Sequence, residues 1–292
     1  MKIIVFGGSG FLGSHVADVL LDVGHNVIIY DKVPSEHKRK GHTFILGDVC
    51  DKDKVFKAVK GCDVIYNFAA VANIDKAKLN PLETVRSNVL GNAVLLEAAR
   101  LNNVKRFVFA SSIYVHSEAG SFYRSSKQAC ELLIENYHKN FGLNFTILRY
   151  GSLYGTRANS ENRIHNMIKQ ACESGEIIYD SDGNESRDYL HVKDAADFSA
   201  RVILSNKFKN KYLNIVSPMK ITGKELLKII QDVLKKKIKI KYNNSNFKEH
   251  YKTTPYTYSP KKGEDLICQD TIDLKEGLKL SLKNLIDKNG NS

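Results

Sequence analysis

The feature that most constrains the fold of this 292-residue chain is a glycine-rich turn close to its first residue. The apolar run Ile3–Phe6 leads directly into Gly7, Gly10 and Gly13, and the amphipathic stretch Phe11–Val23 overlaps the end of this turn. Glycines at this spacing allow a tight turn and let the backbone approach a pyrophosphate, and the following helix N-terminus offers free amide groups to the anion. The pattern therefore predicts a strand, a phosphate-binding turn and a helix, in that order.

Short apolar runs alternate with longer amphipathic stretches through the first half of the chain. The runs predicted as buried strands are Ile3–Phe6, Val27–Tyr30, Phe44–Leu46, Val64–Tyr66, Phe107–Ala110 and Phe145–Leu148. The stretches predicted as helices are Phe11–Val23, Asp51–Val59, Pro81–Arg100 and Ser125–Lys139. Alternation of this kind favours right-handed crossovers and a parallel sheet with helices on both faces. The sequence predicts the α/β class, as a Rossmann-type doubly wound parallel sheet.

This alternation fades past about Gly151, which indicates a second structural unit. The elements predicted there are helices at Ile164–Glu173, after Val192, at Lys224–Leu234 and near Leu274–Leu285, and a strand at the end of Lys235–Lys241. We expect residues 1–150 to form a dinucleotide-binding domain, with further segments returning from about 185–215. Residues 151–292 then form mainly a smaller C-terminal α/β lobe that binds substrate, over the sheet edge where open α/β folds hold ligands.

The net charge does not identify a partner by itself. Lys and Arg total 44 against 32 Asp and Glu, a formal balance of +12. Such an excess favours anionic partners in general, but no nucleic-acid motif accompanies it. Surface lysine is the simpler explanation, and we expect no nucleic acid as a partner.

The cysteines and the apolar runs indicate a cellular compartment. The cysteines are odd in number, widely scattered and without CxxC spacing, so neither a zinc site nor a disulfide framework is predicted. They are Cys50, Cys62, Cys130, Cys172 and Cys268. Reduced thiols are typical of the cytosol, and no run approaches the ~18–20 apolar residues that span a membrane. We expect a cytoplasmic protein with no metal and no membrane contact.

An acidic residue at the end of the second predicted strand indicates which dinucleotide is bound. Asp31 follows Val27–Tyr30, where a carboxylate can accept hydrogen bonds from both hydroxyls of an adenosine ribose and would repel a 2′-phosphate. This favours NAD over NADP, although the neighbouring Lys32 softens the preference. The alternative is that Asp31 is a surface turn residue.

A tyrosine and a lysine four residues apart indicate a proton-transfer site. Tyr123 and Lys127 belong to a helical pattern, so the i,i+4 spacing places both on one face. A nearby cation, reinforced by an oxidised nicotinamide, lowers the pKa of a phenol towards that of a general base. Ser112 lies just past the strand Phe107–Ala110, where its hydroxyl could hold the substrate oxygen that Tyr123 deprotonates. Alone, the spacing more often marks an exposed helix.

Taken in order along the chain, these motifs resemble those of the extended short-chain dehydrogenase/reductase family, in its NAD-dependent sugar epimerase/dehydratase branch. The resemblance covers about residues 1–235. The motifs are Gly7-x-x-Gly10-x-x-Gly13, Asp31, Asp48-Val49, Asn67-Phe-Ala-Ala70, Asn88-Val-x-Gly91, Ser111-Ser112, Tyr123-x-x-x-Lys127, Leu148-Arg-Tyr150 and Arg187-Asp-Tyr-Leu-His-Val192. Nine ordered motifs are far more specific than any one of them.

The resemblance implies binding roles for further residues. Asp48 and Val49 would contact the adenine, Asn88 would brace the cofactor pocket, and Tyr150 would lie near the nicotinamide amide. The residues it implies for the walls of the dinucleotide pocket are Phe11, Leu12, Phe68, Ala69 and Ala70. Arg187 would bind the diphosphate of a nucleotide sugar, which suits the bidentate geometry of a guanidinium. The alternative for Arg187 is a salt bridge to Asp188 or Asp194.

The sequence departs from the family pattern on the substrate side. The segment between Ser112 and Tyr123 is shorter than usual, which removes part of the substrate wall. Ile113 and Tyr114 stand where 4,6-dehydratases carry an acidic pair, so we expect no dehydration, and decarboxylation also loses support. Ser152 replaces an Asn that lies near the substrate phosphates in many relatives, which leaves the sugar nucleotide open.

Three functions remain open at this point. The first is an NAD-dependent nucleotide-sugar epimerase acting at C4 through a transient 4-keto sugar, with Tyr123 as base. The second is a keto-sugar reductase or dehydrogenase that exchanges its cofactor at each turnover, and the third is a non-catalytic NAD(H)-sensing protein. By the same resemblance we expect a homodimer, paired through the helices near Pro81–Arg100 and Ser125–Lys139.

Overall fold

The computed structural model describes residues 1–243, 264–267 and 271–289. Within these residues the main sheet contains eight parallel strands. In chain order they are β1 (Lys2–Phe6), β2 (Asn26–Asp31), β3 (Thr43–Leu46), β4 (Val64–Asn67), β5 (Arg106–Ser112), β6 (Phe145–Tyr150), β10 (Lys211–Val216) and β13 (Glu264–Ile267). Their spatial order is β13-β10-β6-β5-β4-β1-β2-β3. The predicted fold class is confirmed.

Helices cover both faces of this sheet, and each predicted helix of the first half is present. They are α1 (Phe11–Asp22), α2 (Lys52–Val59), α3 (Ile74–Leu79), α4 (Pro81–Thr84), α5 (Gly91–Leu101), α6 (Ser121–Phe141) and α8 (Val192–Arg201). Apolar residues on the two faces of each central strand build two separate cores, one under α2, α5 and α6 and one under α1 and α8. Burial on both faces explains why these strands are continuous apolar runs.

The direction of the strand order reverses between β1 and β4. The chain proceeds from β1 to β2 and β3 on one side, and then returns to β4, β5 and β6 on the other. Ligands of open α/β sheets bind in the crevice at the carboxyl ends of the strands at such a switch point. The residues that follow β1 and β4, Gly7 and Phe68, therefore lie where a dinucleotide is expected.

In the part of the chain that the structure describes, the C-terminal lobe contains two small sheets and three helices. One sheet has the order β11-β9-β7 and the other pairs β12 with β8. The elements are β7 (Ser152–Tyr154), α7 (Arg163–Glu173), β8 (Glu176–Tyr179), β9 (Ser186–His191), β11 (Lys220–Thr222), α9 (Gly223–Leu234), β12 (Lys239–Tyr242) and α10 (Leu274–Asn289). Its core is a cluster of aliphatic and tyrosine side chains between α7, α9 and α10. No helix of the described residues is long and apolar enough to cross a membrane.

Two strands from the second half of the chain extend the main sheet. Strand β10 pairs with β6, and β13 pairs with β10, both in parallel. Neither was recognised as a strand, because Lys211–Val216 begins with an exposed lysine and includes Asn214, and Glu264–Ile267 starts with two acidic residues. The C-terminal residues are thus divided between the lobe and the sheet edge.

The helix predicted over Pro81–Arg100 is interrupted by a π-helical turn at Val85–Leu90. A side chain on Gly91 would place its Cβ 2.6 Å from a methyl group of Val49, so the helix approaches the β3–α2 connection closely here. One extra residue in a single helical turn changes the hydrophobic pattern very little, so the sequence did not predict this π-helical turn. Such turns occur frequently at functional sites, and this one carries Asn88.

A buried ion pair joins α6 to the sheet. The guanidinium of Arg149 on β6 donates to both carboxylate oxygens of Glu131 on α6, at 3.0 and 2.7 Å, and both side chains are more than nine-tenths buried. The Ser111 hydroxyl donates to the same carboxylate at 2.5 Å. Hydrogen bonds of this number and geometry are what a buried ion pair requires.

We expect Arg149→Met to reduce the free energy of unfolding by about 3–5 kcal/mol, because it leaves the Glu131 carboxylate buried without its cation. Urea unfolding of the purified protein measures this change. The matched control is Arg201→Met, which removes an exposed pair with Asp197 on α8 and should cost less than about 1 kcal/mol. Equal unfolding midpoints for the two variants would contradict the assigned role of the buried pair.

Candidate active site

The glycine-rich turn has no room for side chains. An added Cβ would lie 2.2 Å from the Gly7 carbonyl oxygen at Gly13, and 2.6 Å from the Ala69 amide nitrogen at Gly7. Gly7 also has a φ of +74°, which favours glycine. Gly10 precedes α1 without a side-chain cap, and Phe11 and Leu12 in its first turn are half-buried. The turn thus has the close backbone approach and the helix N-terminus without a side-chain cap that suit a pyrophosphate.

Asp31 lies beside this turn at the end of β2. Its carboxylate accepts hydrogen bonds from the Ser9 amide at 3.0 Å and from the Val33 amide at 3.2 Å. These bonds hold the half-buried carboxylate next to the glycines, whereas the following Lys32 is exposed. The predicted ribose-binding residue and the predicted pyrophosphate turn are therefore neighbours.

The loop after β4 forms the opposite side of the crevice. Phe68, Ala69 and Ala70 are half-buried there, and the Phe68 ring stacks on Tyr66 with centroids 6.0 Å apart. Asn88, in the π-helical turn, accepts from the Val71 amide at 2.7 Å and donates to the Ser126 hydroxyl at 2.9 Å. Asn88 thus connects the cofactor-side loop to helix α6, the helix that carries Tyr123.

Asp48 and Val49 lie in the connection after β3. The Asp48 carboxylate accepts from the Cys50 amide at 2.8 Å and from Arg86 at 2.9 Å, and its carbonyl accepts from the Tyr30 hydroxyl. Val49 packs against Gly91. These contacts fix the loop at the expected adenine end of the crevice. The adenine contacts themselves stay a prediction.

Ser112, Tyr123 and Lys127 come together at the carboxyl end of β5. Lys127 is buried, donates from Nζ to the Ala110 carbonyl at 2.7 Å, and lies 5.7 Å from the centre of the Tyr123 ring. Burial lowers the pKa of Lys127 to about 8. The Ser112 hydroxyl accepts from the Tyr114 amide at 3.3 Å and is hydrogen-bonded to Tyr123. The three predicted catalytic side chains thus form one cluster.

The pKa of Tyr123 differs from the sequence-based expectation. Burial raises it to about 12, and the hydrogen bond with Ser112 only partly opposes this. Lys127 directs its ammonium group at the Ala110 carbonyl, and the protein alone therefore does not lower the phenol pKa as expected. Desolvation of the phenolate is the dominant effect on this pKa.

Tyr150 and Ser152 lie on either side of Gly151, at the end of β6. The Tyr150 hydroxyl pairs with the Ser199 hydroxyl on α8 at 2.6 Å, within the core under α1. This bond fixes the Tyr150 side chain against α8. The contact of Tyr150 with a nicotinamide stays a prediction. Ser152 is half-buried on β7, beside Tyr189 of β9.

Arg187 and Asp188 are adjacent on β9. Arg187 is buried and donates from Nη1 to the Tyr114 hydroxyl at 3.3 Å, which places it one side chain away from Tyr123. Asp188 packs against Gly151, and burial raises the pKa of its carboxyl group to about 6. Asp194 accepts from the Ile272 amide at 3.0 Å. The contact with Tyr114 was not anticipated for Arg187.

Sequence reasoning missed three contributors to this site. Tyr114 was considered only as a replacement for an acid, yet it contacts both Tyr123 and Arg187. Glu131 binds Arg149, and Ser111 donates a hydrogen bond to the same Glu131 carboxylate. The spacing of Glu131 four residues after Lys127 was the available signal, since it predicts the same helix face.

The fold is that of a dinucleotide-binding α/β protein. Its site contains the serine, tyrosine and lysine of a short-chain dehydrogenase. The model of the NAD dependent epimerase/dehydratase family matches residues 3–215. The chain belongs to this family, and it is an enzyme whose cofactor is NAD. The sequence-based identification of the family and of the cofactor is confirmed.

Individual relatives cover most of the chain. A Methanocaldococcus jannaschii protein named "Putative UDP-glucose 4-epimerase" is 30% identical, over 95% of this chain and 96% of its own. A dTDP-glucose 4,6-dehydratase of Streptomyces niveus is 28% identical, over 77% and 75% of the two chains. The solved UDP-N-acetylglucosamine 4-epimerase of Methanobrevibacter ruminantium M1, in complex with UDP-N-acetylmuramic acid, has a TM-score of 0.87 and 26% identity over 98% of each chain.

We expect Gly13→Ala to weaken NAD binding by at least about tenfold, because its Cβ would collide with the Gly7 carbonyl and deform the pyrophosphate turn. Isothermal titration calorimetry with NAD measures the affinity, and circular dichroism checks the fold. The control is Gly24→Asn, at a positive φ that Asn tolerates and with nothing within 4 Å of the added Cβ. Unchanged affinity in Gly13→Ala would contradict the assignment of the turn.

Proposed function

We propose that the protein is an NAD-dependent nucleotide-sugar epimerase that inverts C4 through a transient 4-keto sugar. The observation that carries this proposal is the cluster of Ser112, Tyr123 and Lys127 beside Arg187. Ser112 and Tyr123 suit a sugar hydroxyl, and Arg187 suits a diphosphate. A nucleotide-diphosphate sugar carries both groups, at C4 and at C1.

The side chains next to Ser112 support epimerisation over elimination. Ile113 and Tyr114 are both buried in a short 3₁₀ turn, and neither carries a carboxyl group. Loss of the 6-hydroxyl requires an acid and a base at the sugar. No carboxyl group for either role is present at these two positions, and the remaining machinery suits oxidation and reduction at one carbon.

In the proposed reaction Arg187 binds the diphosphate and Ser112 holds the C4 hydroxyl. Tyr123 accepts the proton of the C4 hydroxyl as the carbon is oxidised, and returns a proton to the oxygen when the carbon is reduced on its other face. Lys127 stays hydrogen-bonded to Ala110 and contributes positive charge beside the phenolate. Bound NAD supplies the hydride acceptor and donor, and positioning of the sugar remains the task of the protein.

The first test is proton NMR of the purified protein with UDP-, GDP-, CDP- and dTDP-sugars in D2O, without added cofactor. We expect conversion to the C4 epimer with no deuterium at C4, because the hydride removed from the sugar returns to it. Turnover only after addition of NAD(H) or NADP(H) would identify a reductase or dehydrogenase instead. A deuterated 4-keto-6-deoxy product would identify a dehydratase.

For Tyr123→Phe we expect a fall in kcat of about 10²–10⁴-fold, because the general base is removed. The affinity for UDP should be unchanged, and calorimetry measures it in the same samples. Tyr137→Phe is the matched control, since it removes a phenol hydroxyl from the same helix, where it donates to Glu97. Turnover by Tyr123→Phe at the rate of the control would argue for a different base, and an unchanged cellular effect would favour a sensing role.

We further propose a homodimer paired through helices α4, α5 and α6. Exposed apolar side chains on these helices and on the intervening π-helical turn support it. They are Leu82 at 85% exposure, Leu132 at 54%, Leu90 at 51%, Val85 at 48% and Phe122 at 43%. These elements pack against one another, and large exposed apolar side chains on neighbouring elements favour a protein–protein interface.

We expect the double variant Leu90→Lys/Leu132→Lys to be monomeric, because it places charges in an apolar interface. Sedimentation equilibrium of the wild-type protein and the variant measures the oligomeric state. Leu204→Lys, which changes an exposed leucine outside these helices, is the control and should remain dimeric. A monomeric wild-type protein would rule out this interface.

A further inference from the structure

Tyr114 is a buried phenol at the site that the proposed mechanism leaves without a role. It lies in the 3₁₀ turn Ile113–His116, two residues after Ser112, and is 9% exposed. Its amide donates to the Ser112 hydroxyl at 3.3 Å. The turn therefore fixes Tyr114 to the residue that would hold the sugar oxygen.

The ring and the hydroxyl of Tyr114 contact different functional groups. The ring lies edge-on to Tyr123, with centroids 6.3 Å apart and an interplanar angle of 78°. The hydroxyl accepts a hydrogen bond from Nη1 of Arg187 at 3.3 Å. Tyr114 thus connects the group that takes the sugar proton with the group that binds the diphosphate.

The short segment before α6 folds closely over this ring. Gly120 has a φ of +104°, and a Cβ there would lie 2.7 Å from Cδ1 of Tyr114. A glycine at this position allows the chain to pass directly across the ring. Ala119 and Ile74 complete the apolar cluster around it. The Tyr114 ring thereby packs directly beneath the short segment that leads into α6.

From these contacts we propose that Tyr114 is a positioning residue for the nucleotide-sugar diphosphate, acting through Arg187. Its hydroxyl holds the guanidinium on the Tyr123 side of β9, so the diphosphate binds at a fixed distance from the catalytic phenol. This inference rests on the proposed function, because it presupposes a substrate with a diphosphate at one end and a reacting hydroxyl at the other.

The length of the Arg187 side chain explains what a hydrogen bond to Tyr114 contributes. An arginine side chain has several rotatable bonds, and its freedom must be lost when a ligand binds. A hydrogen bond that already orients the guanidinium lowers this cost for the ligand. Asp188, the acid next to Arg187 in the sequence, packs against Gly151, on the opposite side of the strand by the alternation of side chains.

The decisive variant is Tyr114→Phe, which keeps the ring against Tyr123 and Gly120 and removes only the hydroxyl. We expect the Kd for UDP, measured by calorimetry, and the KM for the nucleotide sugar each to rise about tenfold, as for loss of a hydrogen bond to a charged group. The value of kcat should stay close to that of the wild type. Tyr137→Phe is again the matched control and should change neither constant.

A second comparison tests whether Tyr114 acts through Arg187. In an Arg187→Lys background, Tyr114→Phe should produce no further loss of UDP affinity, because the tethered group is gone. Tyr114→Glu should weaken UDP binding more than Tyr114→Phe, because a carboxylate competes with the diphosphate for the guanidinium. Additive losses in the double variant would overturn the proposal.

The outcomes separate this inference from the proposed function. If the wild-type protein binds no UDP and turns over no nucleotide sugar, the proposed function fails. If the wild-type protein binds UDP and Tyr114→Phe binds it equally well, only the role of Tyr114 fails. A fall in kcat with unchanged KM and unchanged UDP affinity would likewise overturn the positioning role, and would assign Tyr114 to the orientation of Tyr123.

Discussion

The buried ion pair between Glu131 and Arg149 fixes helix α6 on the sheet, and the geometry of the active site depends on where that helix lies. Lys127 and Tyr123 are about one and two turns before Glu131 on the same helix, and Ser111, which also binds Glu131, precedes Ser112 on β5. A shift of α6 along the sheet would therefore break the ion pair and separate Tyr123 from Ser112 at the same time. Removing either partner is costly because the other charge stays buried.

Close contacts between distant segments also fix the geometry of the expected cofactor site. Gly7, Gly13 and the loop at Ala69 approach so closely that no side chain fits between them. Asn88 then ties this loop to α6 through Ser126, so the expected positions of the dinucleotide and of the catalytic phenol are connected by two hydrogen bonds. A hydride can be transferred only between atoms held at a short, fixed separation, and rigid connections of this kind provide it.

Desolvation is the main electrostatic effect at the site. It raises the pKa of Tyr123 to about 12 and lowers the pKa of Lys127 to about 8, so in the protein alone burial favours the neutral form of each group. Because burial disfavours the charged forms of Tyr123 and Lys127, we expect a charged ligand or cofactor to shift the pKa values of both residues. The proposed reaction, in which Tyr123 alternately loses and regains a proton, relies on this balance.

The sequence by itself determined the fold class, the cofactor and the family. Continuous apolar runs separated by amphipathic stretches specify a doubly wound sheet, because only strands buried on both faces can be apolar throughout. The glycine spacing and Asp31 specify the dinucleotide because they are local: residues a few positions apart, or at the ends of adjacent strands, meet whatever the rest of the chain does. The i,i+4 spacing of Tyr123 and Lys127 is local in the same sense.

Only the tertiary structure decided the features that depend on contacts between distant segments. Strand β10, with Lys211 and Asn214, joins the sheet because β6 offers it an unpaired edge, and no local pattern reports that edge. The contact of Tyr114 with Arg187 spans 73 residues, and the raised pKa of Tyr123 arises from burial by several elements. Desolvation and long-range packing are properties of the assembled protein, and a linear pattern of residue types does not contain them.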